Sequence, residues 1–239
     1  MNRSISVSLL PDLLDAGDSI ADTCAIVIDV LRATSVMATA GAAGVTRIHT
    51  CQTTIETRNL AGRLSPRPLL CGERDCKPID GFDLGNSPAE YSRGTVTGRE
   101  MILTTTNGTR AINVARNEKR LLTASFLNLT ATLDSIADED QLQIVCAGTN
   151  GRVTYDDVLL AGAMVERLLQ RGSCRLKNDS SRIALSSWTE ISREATALVD
   201  ALRRSLGGRN LIAAGFDEDL ARCANVDSIN GIVERPDVG

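Results

Sequence analysis

One unit occurs three times in the 239-residue sequence and limits its folding choices more than any other feature. An apolar, strand-like run ends in a polar or glycine-rich turn and passes directly into helical periodicity. AIVIDV (25–30) leads into LRATSVMATAGAAG, MILTTTN (101–107) into GTRAINVARN, and LQIVCAG (142–148) into TNGRVTYDDVLLAGAMVERLLQRG. Such alternation predicts an α/β protein, three-layer α/β/α with a mostly parallel central sheet, with ligand chemistry gathered in the turns at the carboxyl ends of the strands. TEISREATALVDALRRSLGG (189–208) predicts one further helix, capped near Thr189 and stopped by Gly207 and Gly208, and FDEDLARCANV (216–226) another. No low-complexity linker or internal repeat divides the chain, so residues 1–239 are read as a single domain.

The partners are narrowed by charge. A formal charge of −4 and a pI near 5.2, with no concentrated basic run, give no general attraction for nucleic acid or anionic lipid. No segment approaches the ~20 apolar residues of a membrane span, and the N-terminus lacks the pattern of a secretory leader; the expectation is a cytoplasmic protein. Seven cysteines in irregular positions, without a CxxC pair, fit free thiols in a reducing compartment. The single histidine, His49, lies in the strand-like VTRIHTC and is read as locally hydrogen-bonded. Arginines outnumber lysines 23 to 3, so no single arginine is informative by type alone.

The three turns carry the chemistry. Asp29 stands where the first strand ends, followed by Arg32 and Thr34 in the first turn of the next helix. A helix N-terminus and a planar guanidinium both favour an anion, while an Asp serving only as a helix cap is the plain structural alternative. In TTTNGTR (104–110), Asn107, Gly108 and Thr109 resemble a nest of amides for an oxyanion. The third turn, AGTNGR, precedes Asp156 and Asp157, which either hold a hard cation or merely satisfy the helix macrodipole. Between the first two turns, residues 71–91 form a long Gly-, Pro- and Asp-rich loop in which Glu73 offers another acid and Arg74 another anion partner.

CAGTNGR (146–152) also has the Cys-x5-Arg spacing of thiolate phosphatases. In a chain this rich in both residues the spacing arises readily by chance. Val145 and Val153 occupy positions where that class has histidine and a hydroxyl residue, so thiolate catalysis is disfavoured.

Together DVLRATSV, GER, GFDLGNSPAEY, TTNGTRAI, CAGTNGR with YDD and AG, and GGRNLIAAGFDEDLARCANVD resemble the 2-phosphosulfolactate phosphatase family, in order, from about residue 24 almost to the C-terminus. The tail VERPDVG departs from the usual Val-Pro ending. The resemblance implies a Mg2+-dependent phosphatase converting 2-phosphosulfolactate to 3-sulfolactate and phosphate, a step in coenzyme M biosynthesis. It implies catalytic roles for Asp29, Arg32, Thr34, Asn107 and Thr109, and matches Ala33, Gly85 and Pro88 beside them. A small anionic phosphorylated substrate would meet Arg74, Asn86, Ser87, Gly108, Arg110 and Arg152, and the metal would be held among Asp29, Glu73, Asp156 and Asp157. Asp29 is equally readable as metal ligand or as a phosphate-accepting nucleophile; Leu31 stands where haloacid dehalogenase-like phosphatases place a second Asp. A phosphatase for another small phosphorylated acid, or a non-catalytic binder of anionic metabolites, remains open, as does assembly into a homo-oligomer.

Overall fold

In a computed structural model of the chain, which describes residues 3–14, 22–172, 174–194, 197–234 and 236–238, the three expected strand-to-helix units are present but are divided between two sheets. The strands are β1 (Arg3–Ser8), β2 (Cys24–Ile28), β3 (Arg47–Thr50), β4 (Leu69–Arg74), β5 (Lys77–Pro78), β6 (Glu100–Thr104), β7 (Arg120–Ala124), β8 (Gln141–Cys146), β9 (Cys174–Leu176), β10 (Val233–Glu234) and β11 (Asp237–Val238). The helices are α1 (Ala33–Ala42), α2 (Thr54–Ala61), α3 (Arg93–Val96), α4 (Gly108–Val114), α5 (Leu129–Ser135), α6 (Tyr155–Arg171), α7 (Asp179–Ile191), α8 (Ala197–Arg204), α9 (Leu206–Ala213) and α10 (Glu218–Cys223). One sheet has the order β10-β7-β2-β8-β1-β9, the other β11-β3-β6-β4-β5. Only β10 on β7 and β5 on β4 are antiparallel among the described pairings.

Burial explains the uninterrupted apolar strands. Every residue of β2 is buried, because helices cover both faces of its sheet. Ile26 and Ile28 share a cluster with Leu129 of α5, Leu159 and Met164 of α6, Ala184 of α7 and Leu202 of α8. Ala25 and Val27, on the opposite face, meet Val36 and Met37 of α1 and Ile112 of α4. This sheet is the middle of the three-layer α/β/α arrangement. The second cluster then continues into Leu69, Met101 and Leu103 of the other sheet, whose alternate residues Leu70 and Ile102 face Leu60 and Ala61 of α2. Helices α1 and α4 are therefore a layer shared by two sheets.

The expected single helix over 189–208 is not formed. It is divided into the end of α7, α8 and the start of α9, with Ala195 and Thr196 outside the described residues. Ser205 leaves helical space (φ −63°, ψ 164°) and its hydroxyl accepts the Gly208 N–H at 2.9 Å, so it caps a new helix. Gly207 and Gly208 open α9 and do not close α8; a Cβ on Gly208 would lie 1.9 Å from the Leu202 carbonyl oxygen. The divergent tail has a structural use, since β10 pairs with β7 of one sheet and β11 with β3 of the other. His49, on β3, meets Glu100 at 2.9 Å, as a locally bonded imidazole should. No helix among the described residues is long and apolar enough to cross a membrane.

The α6–α7 crossing supplies a test of this packing. A Cβ added at Gly162 would lie 2.1 Å from the Ala184 carbonyl oxygen and 2.6 Å from Trp188 Cβ. Gly162→Ala is expected to cost about 2 kcal/mol or more and to lower Tm by at least several degrees, read from denaturant and thermal unfolding.

Candidate active site

The site begins with a turn that closes on itself. The Thr34 hydroxyl donates to the Asp29 carbonyl at 2.8 Å and accepts the Asp29 N–H at 3.1 Å, while Ser35 donates to the Val30 carbonyl at 2.8 Å. The Asp29 carboxylate, fixed just beyond β2, accepts the Ala33 N–H at 3.3 Å. Helix α4 approaches it from the other sheet through Gly108, where a Cβ would stand 2.6 Å from Asp29 Oδ2 and 2.6 Å from Ala33 Cβ. Any larger residue would push the two helix starts apart.

Two other acids act as clamps between turns. Asp157 accepts the Val30 N–H at 2.9 Å with one oxygen and the Gly148 N–H at 2.9 Å with the other, joining the turn after β2 to the turn after β8. Glu73 accepts the Thr106 N–H at 2.8 Å and the Cys76 N–H at 2.8 Å, joining the turn after β6 to the β4–β5 hairpin. Asn107 adds a link between sheets by accepting the Asn150 N–H at 2.9 Å. Asp156 differs from both clamps: its Oδ1 is buried with no hydrogen-bond partner among the described residues.

These elements border a cavity of about 440 Å³, with Asp29, Arg32, Glu73, Asn86 and Asn107 on its wall and α9 on the facing side. Arg32 is not a free fork. Its guanidinium, 1% exposed, is paired with Asp219 at 2.7 Å, donates to the Cys76 carbonyl at 3.0 Å and lies 4.2 Å from the centre of the Phe216 ring. Ser87 donates to the second Asp219 oxygen at 2.7 Å, so it too faces that pair. Thr109 is buried and turned back, its hydroxyl donating to the Thr105 carbonyl at 2.8 Å.

Three arginines expected to meet an anion stand elsewhere. Arg74 is spent on the Glu73 and Gln52 carbonyls and the Thr104 hydroxyl, at 2.6, 3.0 and 2.8 Å. Arg110 points outward to Asp12, at 2.5 and 2.7 Å. Arg152 is exposed beside the Thr149–Arg152 backbone bridge and is not on the wall. The sequence reading missed Asp219, Phe216, Asn210 and Lys77. The first three lie in GGRNLIAAGFDEDLARCANVD, a segment of the family resemblance to which no role was given, and Lys77 is one of only three lysines and lies in the 71–91 loop.

The electrostatics follow from burial and crowding. Asp29 is pushed up to about 7, by burial first, then by the Asp156 carboxylate and by Glu73, against the Ala33 N–H and Arg32. Burial pushes Asp156 up to about 6, although its own backbone N–H and the Ser205 hydroxyl favour the anion. Asp157 is raised by burial and by the Asp156 and Asp29 carboxylates, against its two N–H donors. The Cys146 thiol is likewise raised well above its ordinary range by burial and by Asp157 and Asp156, the reverse of thiolate activation.

For a hard divalent cation the least engaged donors are Asp29 and Asp156. Among the described residues no three acidic, histidine or cysteine side chains form a ready-made metal cage. Glu73 and Asp157 have both oxygens engaged by N–H groups, leaving Asp29 and the unpartnered Asp156 oxygen as available donors. Two carboxylates, completed by water and substrate oxygens, is a usual way of holding Mg2+.

A buried acid cluster ringed by strand-to-helix turns, opening on a cavity of small-molecule size, defines an α/β enzyme with an anion-handling site. The chain belongs to the 2-phosphosulpholactate phosphatase family, whose model matches residues 8–236. It is 38% identical over 206 residues to the probable 2-phosphosulfolactate phosphatase of Thermotoga petrophila, covering 85% of each chain. Proteins of the same name from Pseudothermotoga lettingae (40% over 202 residues, 84% of each chain) and Deinococcus radiodurans (38% over 231 residues, 94% of this chain and 90% of that one) are similarly close.

Two outcomes are expected. Asp219→Ala leaves the Arg32 guanidinium buried and unpaired and should cost about 3 kcal/mol or more in denaturant unfolding. Asp29, raised when folded, binds a proton in the native state at pH values where the unfolded chain has lost it, so its contribution to stability falls as pH rises from about 4 towards 7. In cation-free protein, Asp29→Asn should therefore be more stable than wild type, by a margin larger at about pH 8 than at about pH 5.

Proposed function

We propose that the chain hydrolyses 2-phosphosulfolactate to 3-sulfolactate and phosphate with Mg2+, the type of step used in coenzyme M biosynthesis. The names of its relatives support the substrate, and the charge of the cavity supports the metal. Asp29, Glu73 and Asp75 are on the wall with Asp156 and Asp157 close to Asp29, against the cations Arg32, already paired with Asp219, and Lys77. A substrate carrying phosphate, carboxylate and sulfonate enters such a cavity only if a cation accompanies it. Seven free cysteines support a reducing, cytoplasmic setting.

In this reading Asp29 and Asp156 hold the cation, which would supply polarisation of a phosphoryl oxygen and offset charge developing during transfer. Asp157 and Glu73 fix the turns from which the contacts to the phosphate come. The Asn107 side chain, on the cavity wall beside Thr105 and Thr106, is available to the same anion. Asn86, whose Oδ1 is buried without a partner among the described residues, is available to a water or to the hydroxyl that hydrolysis leaves on the product. Arg32 acts as a brace for the wall through Asp219 and Cys76. A phosphatase of the same fold acting on a different small phosphorylated acid is the rival reading, and a substrate panel separates the two.

Chelation should abolish phosphate release from 2-phosphosulfolactate and Mg2+ should restore it. Mg2+ alone should raise Tm, more at about pH 8 than at about pH 5, because it competes with protons for Asp29 and Asp156. Asp29→Asn should retain a residual activity that increases with added Mg2+; loss of turnover at every Mg2+ concentration would instead assign Asp29 as the nucleophile.

A further inference from the structure

The hairpin joining β4 to β5 is strained where it meets the cavity. Arg74 pairs with Lys77, so the turn consists of Asp75 and Cys76 alone, and both have positive φ, 53° and 65°. That is the sign pattern of a type I′ turn, in which Gly and Asn are the favoured residues and a cysteine is not. Each such non-glycine conformation costs on the order of 1 kcal/mol and persists where the surroundings over-determine it. Here they do. The Cys76 N–H is held by Glu73 at 2.8 Å and its carbonyl by Arg32 at 3.0 Å, so the peptide units on both sides of Cys76 are pinned, each by a residue of the site. The next residue is Lys77, on the cavity wall.

Lys77 is also the one cation on that wall with no ion-pair or hydrogen-bond partner for its side chain among the described residues, since Arg32 is committed to Asp219. We infer that Lys77 is a specificity-determining residue whose ammonium group receives the substrate's sulfonate. The inference rests on the proposed function and adds to it the group that reads the end of the substrate away from the phosphate. An ammonium is a point charge with three donors and suits a three-oxygen sulfonate, whereas a carboxylate is better matched by a planar guanidinium fork. The pinned turn fixes where the lysine stem starts, and the flexible stem lets the charge follow its partner. Asp75 shares the wall, so the ammonium also prevents that acid from repelling the sulfonate.

The test compares two esters that differ only in the sulfonate, 2-phosphosulfolactate and 2-phospholactate, with full-length wild type, Lys77→Gln and Lys77→Arg. A charge-assisted contact of this kind corresponds to about 10- to 100-fold. Wild type should prefer the sulfonated ester in kcat/KM, and Lys77→Gln should lower that preference by at least about tenfold through KM, with Lys77→Arg recovering part of it. A preference unchanged in Lys77→Gln, or KM values raised equally for both esters, overturns the inference while leaving the proposed function standing. If wild type hydrolyses neither ester, the proposed function fails, and calorimetry with 3-sulfolactate and Mg2+ judges Lys77 separately. Binding by wild type that weakens about tenfold or more in Lys77→Gln supports the inference; equal binding, or none by wild type, overturns it. Thermal unfolding of both variants shows that the exposed position tolerates the change.

Discussion

Two carboxylates that accept backbone N–H groups hold this site together. Asp157 binds the turns after β2 and β8 within one sheet, and Glu73 binds the turn after β6 to the hairpin after β4 within the other. Asp157 satisfies two buried amides, a loss of about 1–3 kcal/mol apiece if left unpaired, and Glu73 satisfies two part-buried ones. Their position also determines everything built on them. Asp29 stands one residue before an amide that Asp157 holds, Asn107 one residue after an amide that Glu73 holds, and Lys77 one residue after the other. Replacing either clamp would release turns on which the reactive groups depend, even if the clamp itself never meets the substrate.

The same concentration of acid is a burden to the fold. Burial raises Asp29, Asp156 and Asp157, with neighbouring carboxylates adding to the rise of Asp29 and Asp157, and a protein selected only for stability would not place three carboxylates there. What offsets them locally is limited. Backbone N–H groups serve Asp157, the guanidinium of Arg32 is shared with Asp219, and one oxygen of Asp156 has no partner among the described residues. In the proposed function a ligand completes this arrangement, and the acids, the strained hairpin and the cavity border one another. The buried Arg32–Asp219 pair extends the arrangement to the C-terminal helices, since Asp219 begins in α10 and Phe216 stacks on the guanidinium from the segment before it.

The class of fold and the turns that border the cavity were legible in the sequence because both depend on short-range pattern. Continuous apolar runs ending at Asp29, Asn107 and Gly148 specify strands covered on both faces, and helical spacing directly after them specifies where strand ends must lie. Asp29 was singled out as standing at one of those ends, the Asp156–Asp157 pair as opening the helix after another, and Glu73 as an acid of the loop read over 71–91, where β4 in fact continues to Arg74. The 189–208 helix was misread for an equally local reason: helical periodicity continues through Ser205, and only the capping bond to Gly208 and the close approach of Leu202 show that the chain turns there.

Whether a charged side chain at a strand end faces a ligand or a neighbour is a different kind of question. Arg32, Arg74 and Arg110 were equivalent in sequence as guanidinium groups beside a turn, yet one braces the wall, one binds carbonyls and one reaches Asp12 at the surface. Sequence by itself determined the elements, their order and the acid-bearing turns, because hydrophobic periodicity and turn chemistry act over a few residues. Tertiary structure alone decided that the three turns belong to two sheets sharing one helical layer, that Asp219 neutralises Arg32 across 187 positions of chain, and that Lys77 has no side-chain partner among the described residues. Pairing between charges is set by distance in space, and that distance exists only once the two sheets have closed on α1 and α4.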